Sequence, residues 1–174
     1  VGTYANKNVT ALANKNYSLS SLALTGADAA NYVLTNGVTS AAITTQTGSD
    51  GQITPRPLTV AFTGNDRVYD GGTVATVNTS LTVANGFVSG DDLSVNRTAA
   101  FGDKNVAYDV SNSVTSKAVS ITGVSLGGAD AANYSVAATA NTTATITPRL
   151  LNVTYSGVNK VYDGGTVATV TTTD

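Results

Sequence analysis

The sequence predicts an all-β protein built as a tandem repeat, with a period of 93 residues and no substantial helix. Three observations support this prediction: the composition, the recurrence of whole phrases, and the alternation of apolar with polar residues. Thr, Val, Ser, Asn, Ala and Gly dominate the chain, while Glu and Met are absent. Thr and Val favour strands, and Asn, Asp, Gly and Ser favour turns. The missing residues, Glu and Met, are among the strong helix formers.

Recurrence of whole phrases sets the period of the chain. The phrases ITPR and VYDGGTVATV each occur twice, 93 residues apart, and the phrase GADAANY occurs twice, 102 residues apart. Several phrases that return in a fixed order are the signature of a tandem array. The copies are Ile53–Arg56 and Ile146–Arg149, Val68–Val77 and Val161–Val170, and Gly26–Tyr32 and Gly128–Tyr134.

The recurrence divides the chain into three segments. Residues 1–52 are predicted to be the C-terminal part of a first repeat, residues 53–147 one complete repeat, and residues 148–174 the N-terminal part of a third. Two prolines flank Arg56 at the first junction. Because each proline restricts itself and the residue before it, the junction is predicted to be extended and stiff.

In the first segment, local patterns predict turns and strands. A phase break at Ser21 between two alternating runs predicts a β-bulge. Residues Asp28–Asn31 predict a single helical or 3₁₀ turn capped by its Asp. The pair Asn36-Gly37 predicts a hairpin, with a return strand over Val38–Ile43. We expect Thr44–Gln52 to be an exposed loop because it is rich in Gly, Ser, Thr and Asp.

In the complete repeat, alternation predicts the strands, and clusters of Gly, Asp and Asn predict the turns between them. We expect the strands to form an immunoglobulin-like β-sandwich of about seven strands. A β-solenoid is the competing fold. It ranks lower because its rungs would recur about every 20–30 residues, and the sequence shows no period shorter than 93 residues. The predicted strands are residues 58–62, 73–78 with 81–83 as a candidate continuation, 93–101, 114–126, 134–138 and 143–146.

The composition also excludes several classes of function. With a net charge of −2 and nine basic residues that do not cluster, nucleic-acid binding is not expected. No apolar run approaches the roughly 20 residues of a membrane-spanning helix. His, Cys and Glu are absent, so the usual catalytic triads and dyads cannot be built, and we expect no enzymatic activity.

The recurring Tyr-Asp-Gly-Gly turn is the most conspicuous candidate site. We interpret its Asp as the centre of an Asx turn that holds a chain reversal, because Asp side chains bond to nearby backbone amides. Contact with a ligand is the alternative. We also expect Tyr32 and Tyr134 to plug the core with their hydroxyl groups at its rim. The turn residues are Tyr69, Asp70, Gly71 and Gly72, and Tyr162, Asp163, Gly164 and Gly165.

Calcium is the metal that this composition leaves open. It takes roughly six to eight oxygen ligands, which carboxylates in turns can provide. No EF-hand spacing is present, so we expect no cofactor and keep calcium as the alternative. The candidate ligands are Asp66, Asp91, Asp92, Asp103 and Asp130.

The phrases ITPRPL, VYDGGT and GADAANY, followed by TATITP, occur in that order in the complete repeat. This combination resembles the YDG-type tandem repeats of very large bacterial surface adhesins, including filamentous-haemagglutinin-like exoproteins. The resemblance implies an all-β repeat, secretion to the bacterial cell surface, and a place in a stalk between an anchor and a tip. It implies neither an enzymatic activity nor an agreed ligand.

The resulting hypothesis is a structural stalk or spacer that holds an adhesive tip away from the cell, in cell adhesion and biofilm formation. Its expected partners are neighbouring repeats of the same protein. A ligand- or glycan-binding adhesin module is the first alternative. A subunit of a self-assembled extracellular fibre is the second, in which the incomplete end segments of different copies associate end to end by strand complementation.

Overall fold

A computed structural model describes residues 1–38 and 42–173, and its regular structure consists almost entirely of short strands. In these residues helix occurs only as 3₁₀ turns, so the predicted all-β class is confirmed. None of the helices in this part of the chain is long and apolar enough to span a membrane. The 3₁₀ turns are Ala29–Asn31, Val83–Asn85 and Ala131–Asn133.

Hydrogen bonds join the strands into small sheets. The strands are β1 (Gly2–Tyr4), β2 (Lys15–Leu19), β3 (Gln46–Gly51), β4 (Arg56–Pro57), β5 (Ala61–Gly64), β6 (Arg67–Val68), β7 (Val77–Ser80), β8 (Ser94–Phe101), β9 (Ala107–Tyr108), β10 (Val114–Thr115), β11 (Lys117–Gly127), β12 (Tyr134–Ser135), β13 (Ala140–Ala144), β14 (Ile146–Thr147), β15 (Thr154–Val158) and β16 (Thr169–Thr173). Among the described residues, two sheets have three strands, in the orders β1-β2-β3 and β13-β11-β8, and the other strands form the pairs β4-β12, β5-β7, β6-β14, β9-β10 and β15-β16.

The chain divides into two compact units, each made of segments that are distant in sequence. The first unit comprises Val1–Phe62, Thr79–Thr98 and Ile121–Ala140. The second comprises Thr63–Asn78, Ala99–Ser120 and the residues from Asn141 onward. The repeat boundaries after residues 52 and 147 stay a prediction.

In the first unit, the antiparallel sheet β1-β2-β3 contains a segment that we predicted to be a loop. That prediction was wrong, because residues 46–51 form β3 and pair with β2. The glycines that suggested a loop have a packing role: the rings of Tyr17 and Tyr4 lie where side chains of Gly48 and Gly51 would be. The two rings meet edge to face, with centroids 6.4 Å apart.

The predicted hairpin at Asn36-Gly37 is partly described by the structure. Gly37 has φ +79°, and Asn36 Oδ1 accepts a hydrogen bond from the amide of Val38 at 3.0 Å. Across this turn, the amide of Ile43 donates to the carbonyl of Leu34 at 2.9 Å. Residues 39–41 of the predicted return strand lie outside the described residues.

The junction that follows is held by hydrogen bonds within the first unit. Strand β4 pairs in parallel with β12, with Arg56 opposite Tyr134. The amide of Leu58 continues this pairing by donating to the carbonyl of Ser135 at 2.9 Å. On the other side, the amide of Thr10 donates to the carbonyl of Ile53 at 3.1 Å. The junction is therefore tied to the chain on both sides of its prolines.

In the second unit, β6 and β14 pair in parallel, and β15 and β16 form an antiparallel hairpin. This hairpin corresponds in sequence to β5 and β7, which lie 93 residues earlier and are also paired. The strands that flank the two copies of the recurring phrase are thus paired in both, whereas β6 in the first copy has no counterpart strand in the part of the second that the structure describes. Residues 83–85 form a 3₁₀ turn, so the candidate continuation of the strand through 81–83 was wrong.

In sequence, the buried apolar side chains of the described residues all fall in the range from Leu58 to Ile146. Along β11 the buried positions are Val119, Ile121 and Val124, so the alternation changes phase once. The change occurs at Gly123, whose φ of +63° matches that of Ser21, +55°, at the corresponding position of the first segment. The phase break in the sequence therefore marks a left-handed residue, although β2 ends at Leu19, before Ser21.

We predict that truncating Leu58 destabilises the protein and that truncating its sequence counterpart Leu151 does not. Leu58 is 4% exposed and Leu151 is 73% exposed. Leu58→Ala should cost about 2–5 kcal/mol of unfolding free energy because it leaves a cavity, and Leu151→Ala less than about 0.5 kcal/mol. Urea unfolding of both variants measures the difference. Equal losses would contradict the core described here.

Candidate functional site

The turn Tyr69–Gly72 is an Asx turn braced by a cation. Asp70 Oδ1 accepts the amide hydrogen of Gly72 at 2.9 Å, and Gly71 has φ +84°. The Arg67 guanidinium bonds to Asp70 Oδ2 at 2.9 Å and to the carbonyl oxygens of Gly72 and Val74. The same guanidinium lies 5.3 Å from the centroid of the Phe101 ring. These contacts hold the turn, and both carboxylate oxygens of Asp70 accept hydrogen bonds from donors of the protein itself.

The second copy of the turn, Tyr162–Gly165, has the same geometry. Asp163 Oδ1 accepts the amide hydrogen of Gly165 at 2.9 Å, and Gly164 has φ +75°. Lys160 takes the place of Arg67, and bonds to Asp163 Oδ1 and to the carbonyl of Gly165, both at 2.9 Å. The hydrogen bond from Lys160 and the amide of Gly165 lower the pKa of Asp163.

A further turn, at Asp103, is also held by a lysine. Asp103 Oδ1 accepts the amide hydrogen of Asn105 at 2.8 Å. Lys117 at the start of β11 bonds to Asp103 Oδ1 at 2.5 Å and to the carbonyl of Asn105 at 2.8 Å. The ammonium of Lys117, followed by the amide of Asn105, lowers the pKa of Asp103. The Asp103 carboxylate therefore stabilises its own loop.

In the first unit, the Gly-Asp-Asp turn and the Asp-Ala-Ala-Asn turn are locked to each other. The amide of Asp92 donates to Asp130 Oδ2, and the amide of Ala129 donates to Asp92 Oδ2, both at 3.0 Å. The carbonyl of Asp92 accepts the amide hydrogen of Asp130 at 3.2 Å. Gly128 has φ +101°, and a side chain there would collide with the carbonyl of Asp92.

Lys7 from the first segment binds the acidic side of these two turns. Its ammonium lies 2.7 Å from Asp91 Oδ1 and 2.9 Å from Asp130 Oδ1. The two carboxylates are only 10% and 16% exposed, whereas the Lys7 side chain is 65% exposed. The hydrogen bond from Lys7 is the largest cause that lowers the pKa of both Asp91 and Asp130. In turn, these carboxylates raise the pKa of Lys7.

Two neutral groups complete this arrangement. The Tyr134 hydroxyl donates to Asp91 Oδ2 at 2.6 Å and accepts the amide hydrogen of Val88 at 3.0 Å. The side-chain oxygen of Asn133 accepts the amide hydrogen of Val9 at 2.9 Å. We call the five side chains Lys7, Asp91, Asp130, Asn133 and Tyr134, with the amide of Val9, the acidic joint.

The two tyrosines that were predicted to plug the core differ. Tyr134 is 8% exposed, which confirms its prediction, and burial is the largest cause that raises its pKa. Tyr32 is 70% exposed, so its prediction was wrong. The preceding 3₁₀ turns are the same in both copies, but neither Asp28 nor Asp130 caps its turn with its side chain. The capping role that we expected for Asp28 was therefore wrong.

The calcium candidates are distributed over several turns. In residues 1–38 and 42–173 no three acidic side chains form a group that could hold a metal ion. Asp66 accepts the amide hydrogen of Thr145 at 2.6 Å, and Asp103 is paired with Lys117. Asp91 and Asp130 share the ammonium of Lys7, which occupies the position between them. The expectation of no cofactor, with calcium as the alternative, stays a prediction.

The residues that the sequence reasoning missed are the lysines of the joint and of the loops. Lys15 is 4% exposed, and its ammonium bonds to Asn6 Oδ1 and to the carbonyl of Asn8. A signal was available, since the phrase Lys-Asn-Val at Lys7–Val9 returns at Lys104–Val106. A three-residue phrase at an offset other than 93 is too short to stand out among the longer repeats.

We predict that Tyr134→Phe destabilises the protein by about 1–3 kcal/mol, because it removes a buried donor to Asp91 and the acceptor of the Val88 amide. Tyr32→Phe, in the other copy of the phrase, is the matched control and should change the free energy of unfolding by less than about 0.5 kcal/mol. Denaturant unfolding measures both. A Tyr134→Phe variant as stable as the control would refute the assigned role.

We predict that Lys7→Gln lowers the thermal midpoint at neutral pH and that the difference from the parent chain vanishes in acid. The pKa values of Asp91 and Asp130 lie below the ordinary 3.8 in the folded state. Their contribution to stability is therefore present above that value and is lost as the pH falls through the folded pKa. Melting curves from pH 7 to about pH 2 measure it. A difference that persists undiminished in acid would contradict the ion pairs.

Comparison with protein families matches residues 54–144 to the YDG domain. The matched span contains the turn Tyr69–Gly72 and the receiving side of the acidic joint, Asp91, Asp130, Asn133 and Tyr134. No curated protein and no solved structure matches the chain. Because the match covers just over half of the 174 residues, the chain belongs to the YDG domain family.

Proposed function

We propose that this chain is a spacer segment in the stalk of a secreted bacterial surface adhesin, where successive repeats hold an adhesive tip away from the cell. The proposal combines the family resemblance with the mechanical character of the junction. The mechanism is extension: each added repeat moves the tip further out, and no ligand has to bind to the repeat itself.

The observation that carries the proposal is the acidic joint. It links the segment before the junction to the repeat after it, through Lys7 on Asp91 and Asp130 and through the amide of Val9 on Asn133. A stalk that transmits force needs connections that do not bend freely. Here two ion pairs and a hydrogen bond stand beside a proline-containing connection that is itself hydrogen-bonded.

We further propose that each repeat is an immunoglobulin-like sandwich and that the repeats form a tandem array. The burial pattern supports a layered core, since β11 alternates buried and exposed side chains on each side of Gly123. The pairing of β5 with β7 and of their sequence counterparts β15 with β16 supports a repeated structural unit. Secretion to the cell surface follows from the resemblance and agrees with the absence of Cys and Met, which leaves little for oxidants to attack.

One observation favours the self-assembled fibre as a second candidate. On the hairpin β15-β16, Tyr155 is 68% exposed and Val170 is 56% exposed. Val77, the counterpart of Val170 in the complete repeat, is 6% exposed. Another copy of this chain that covers the hairpin would bury these side chains by strand addition. Light scattering over a concentration series tests this candidate, and a mass that stays at one chain would exclude it.

We predict that the reach of a displayed tip grows linearly with repeat number. One, two or three copies of residues 53–145, followed once by residues 146–147, are placed between an outer-membrane anchor and an epitope tag, and the height of the tag above the membrane is measured. A Gly/Ser linker of equal length is the control, because a flexible coil grows only with about the square root of its length. Growth like that of the control would contradict a stalk. Binding of the chain alone to arrayed glycans would instead favour the adhesin module.

A further inference from the structure

We infer that the turn Lys104–Val106 of the complete repeat is a docking surface for the repeat that follows it. Its partner is the receiving side of an acidic joint: the two aspartates and the asparagine that correspond to Asp91, Asp130 and Asn133. Each repeat would thus carry both a docking turn and a receiving side, so that identical joints connect successive repeats head to tail.

The first support is sequence. Lys7–Val9, which binds the receiving side of the acidic joint, has the same three residues as Lys104–Val106. Each phrase follows a residue with a side-chain carbonyl oxygen, Asn6 or Asp103. Each is followed by a junction with the residues Ile-Thr-Pro-Arg, at Ile53 and at Ile146. The phrase Lys-Asn-Val therefore precedes both junctions in the sequence.

The second support is local structure, which is the same in the two turns. The amide of Asn8 donates to Asn6 Oδ1 at 3.0 Å, and the amide of Asn105 donates to Asp103 Oδ1 at 2.8 Å. In each turn a lysine bonds to the side-chain oxygen of the residue before the phrase, Asn6 or Asp103. The same lysine bonds to the backbone carbonyl of the asparagine within the phrase, Asn8 or Asn105. Lys15 does so for the first turn and Lys117 for the second.

The third support is that the binding geometry of the first turn is known from this structure. Lys7 contributes a cation between two carboxylates, and Val9 contributes a backbone amide to an asparagine oxygen. A turn of the same conformation presents Lys104 and the amide of Val106 in the same way. Lys104 is exposed on the protein surface, and the chemistry it matches is a pair of nearly buried carboxylates beside an asparagine.

This inference rests on the proposed stalk function and specifies how the stalk is joined. Its test is a property of the chain in solution and does not require a cell. Failure of the joint would leave the reach experiment unaffected, and failure of the reach experiment would leave the joint to be judged on its own measurement.

The experiment extends the full chain by adding residues 82–147 after Asp174, which continues the third repeat in register with the complete one. Hydrogen exchange of the Val106 amide is then compared between the extended chain and the original chain. We expect exchange at Val106 to be about tenfold slower or more in the extended chain, because its amide gains a hydrogen-bond acceptor. The Val9 amide is the internal control and should be protected equally in both chains.

Two variants of the extended chain decide the cause. Asn133→Ala in the added copy should return the Val106 amide to its original exchange rate while the Val9 amide stays protected. Lys104→Gln should weaken the protection of Val106 in the same direction. The core amides of Val119 and Ile121 report that each variant is folded. Equal exchange at Val106 in the original and extended chains, with the core protected, would overturn the inference, and so would protection that survives loss of the added asparagine.

Discussion

This structure depends on one interaction, the hydrogen bond from a backbone amide to an aspartate carboxylate in the same turn. The chain has no cysteine with which to crosslink its loops. Asp70, Asp103 and Asp163 each accept the amide hydrogen two residues further along. Each is also paired with Lys or Arg, so the negative charge is balanced where the chain reverses direction. Each of these turns is thereby held by its own aspartate together with a paired cation.

The position of the cation decides how far this interaction reaches. Arg67 and Lys160 act inside their own turns, three residues before the aspartate. Lys117 ties a turn to a strand that begins 14 residues away. Lys7 reaches Asp91, 84 residues further along the chain, and so connects the first segment to the complete repeat. One kind of ion pair therefore serves as a brace within a turn, a tie between loop and strand, and a joint across a junction.

Copies of one phrase show which properties are local and which are tertiary. The two Asp-Ala-Ala-Asn phrases form the same turn, with φ of −97° at Asp28 and −98° at Asp130. The tyrosines that follow are nevertheless 70% and 8% exposed. The phrase alone sets the dihedral angles of the turn. Burial of Tyr134 additionally requires Val88 and Asp91 to lie against its hydroxyl.

The sequence by itself determined the all-β class, the spacing of the recurring phrases and the main turns, because composition, alternation and turn chemistry act over a few residues. The tertiary structure decided that residues 46–51 pair as a strand, since their glycines accommodate the rings of Tyr4 and Tyr17. It also decided the partner of Lys7. The recurring phrase Lys-Asn-Val does not name the partner of its lysine, because only the folded chain brings Lys7 to Asp91, 84 positions away.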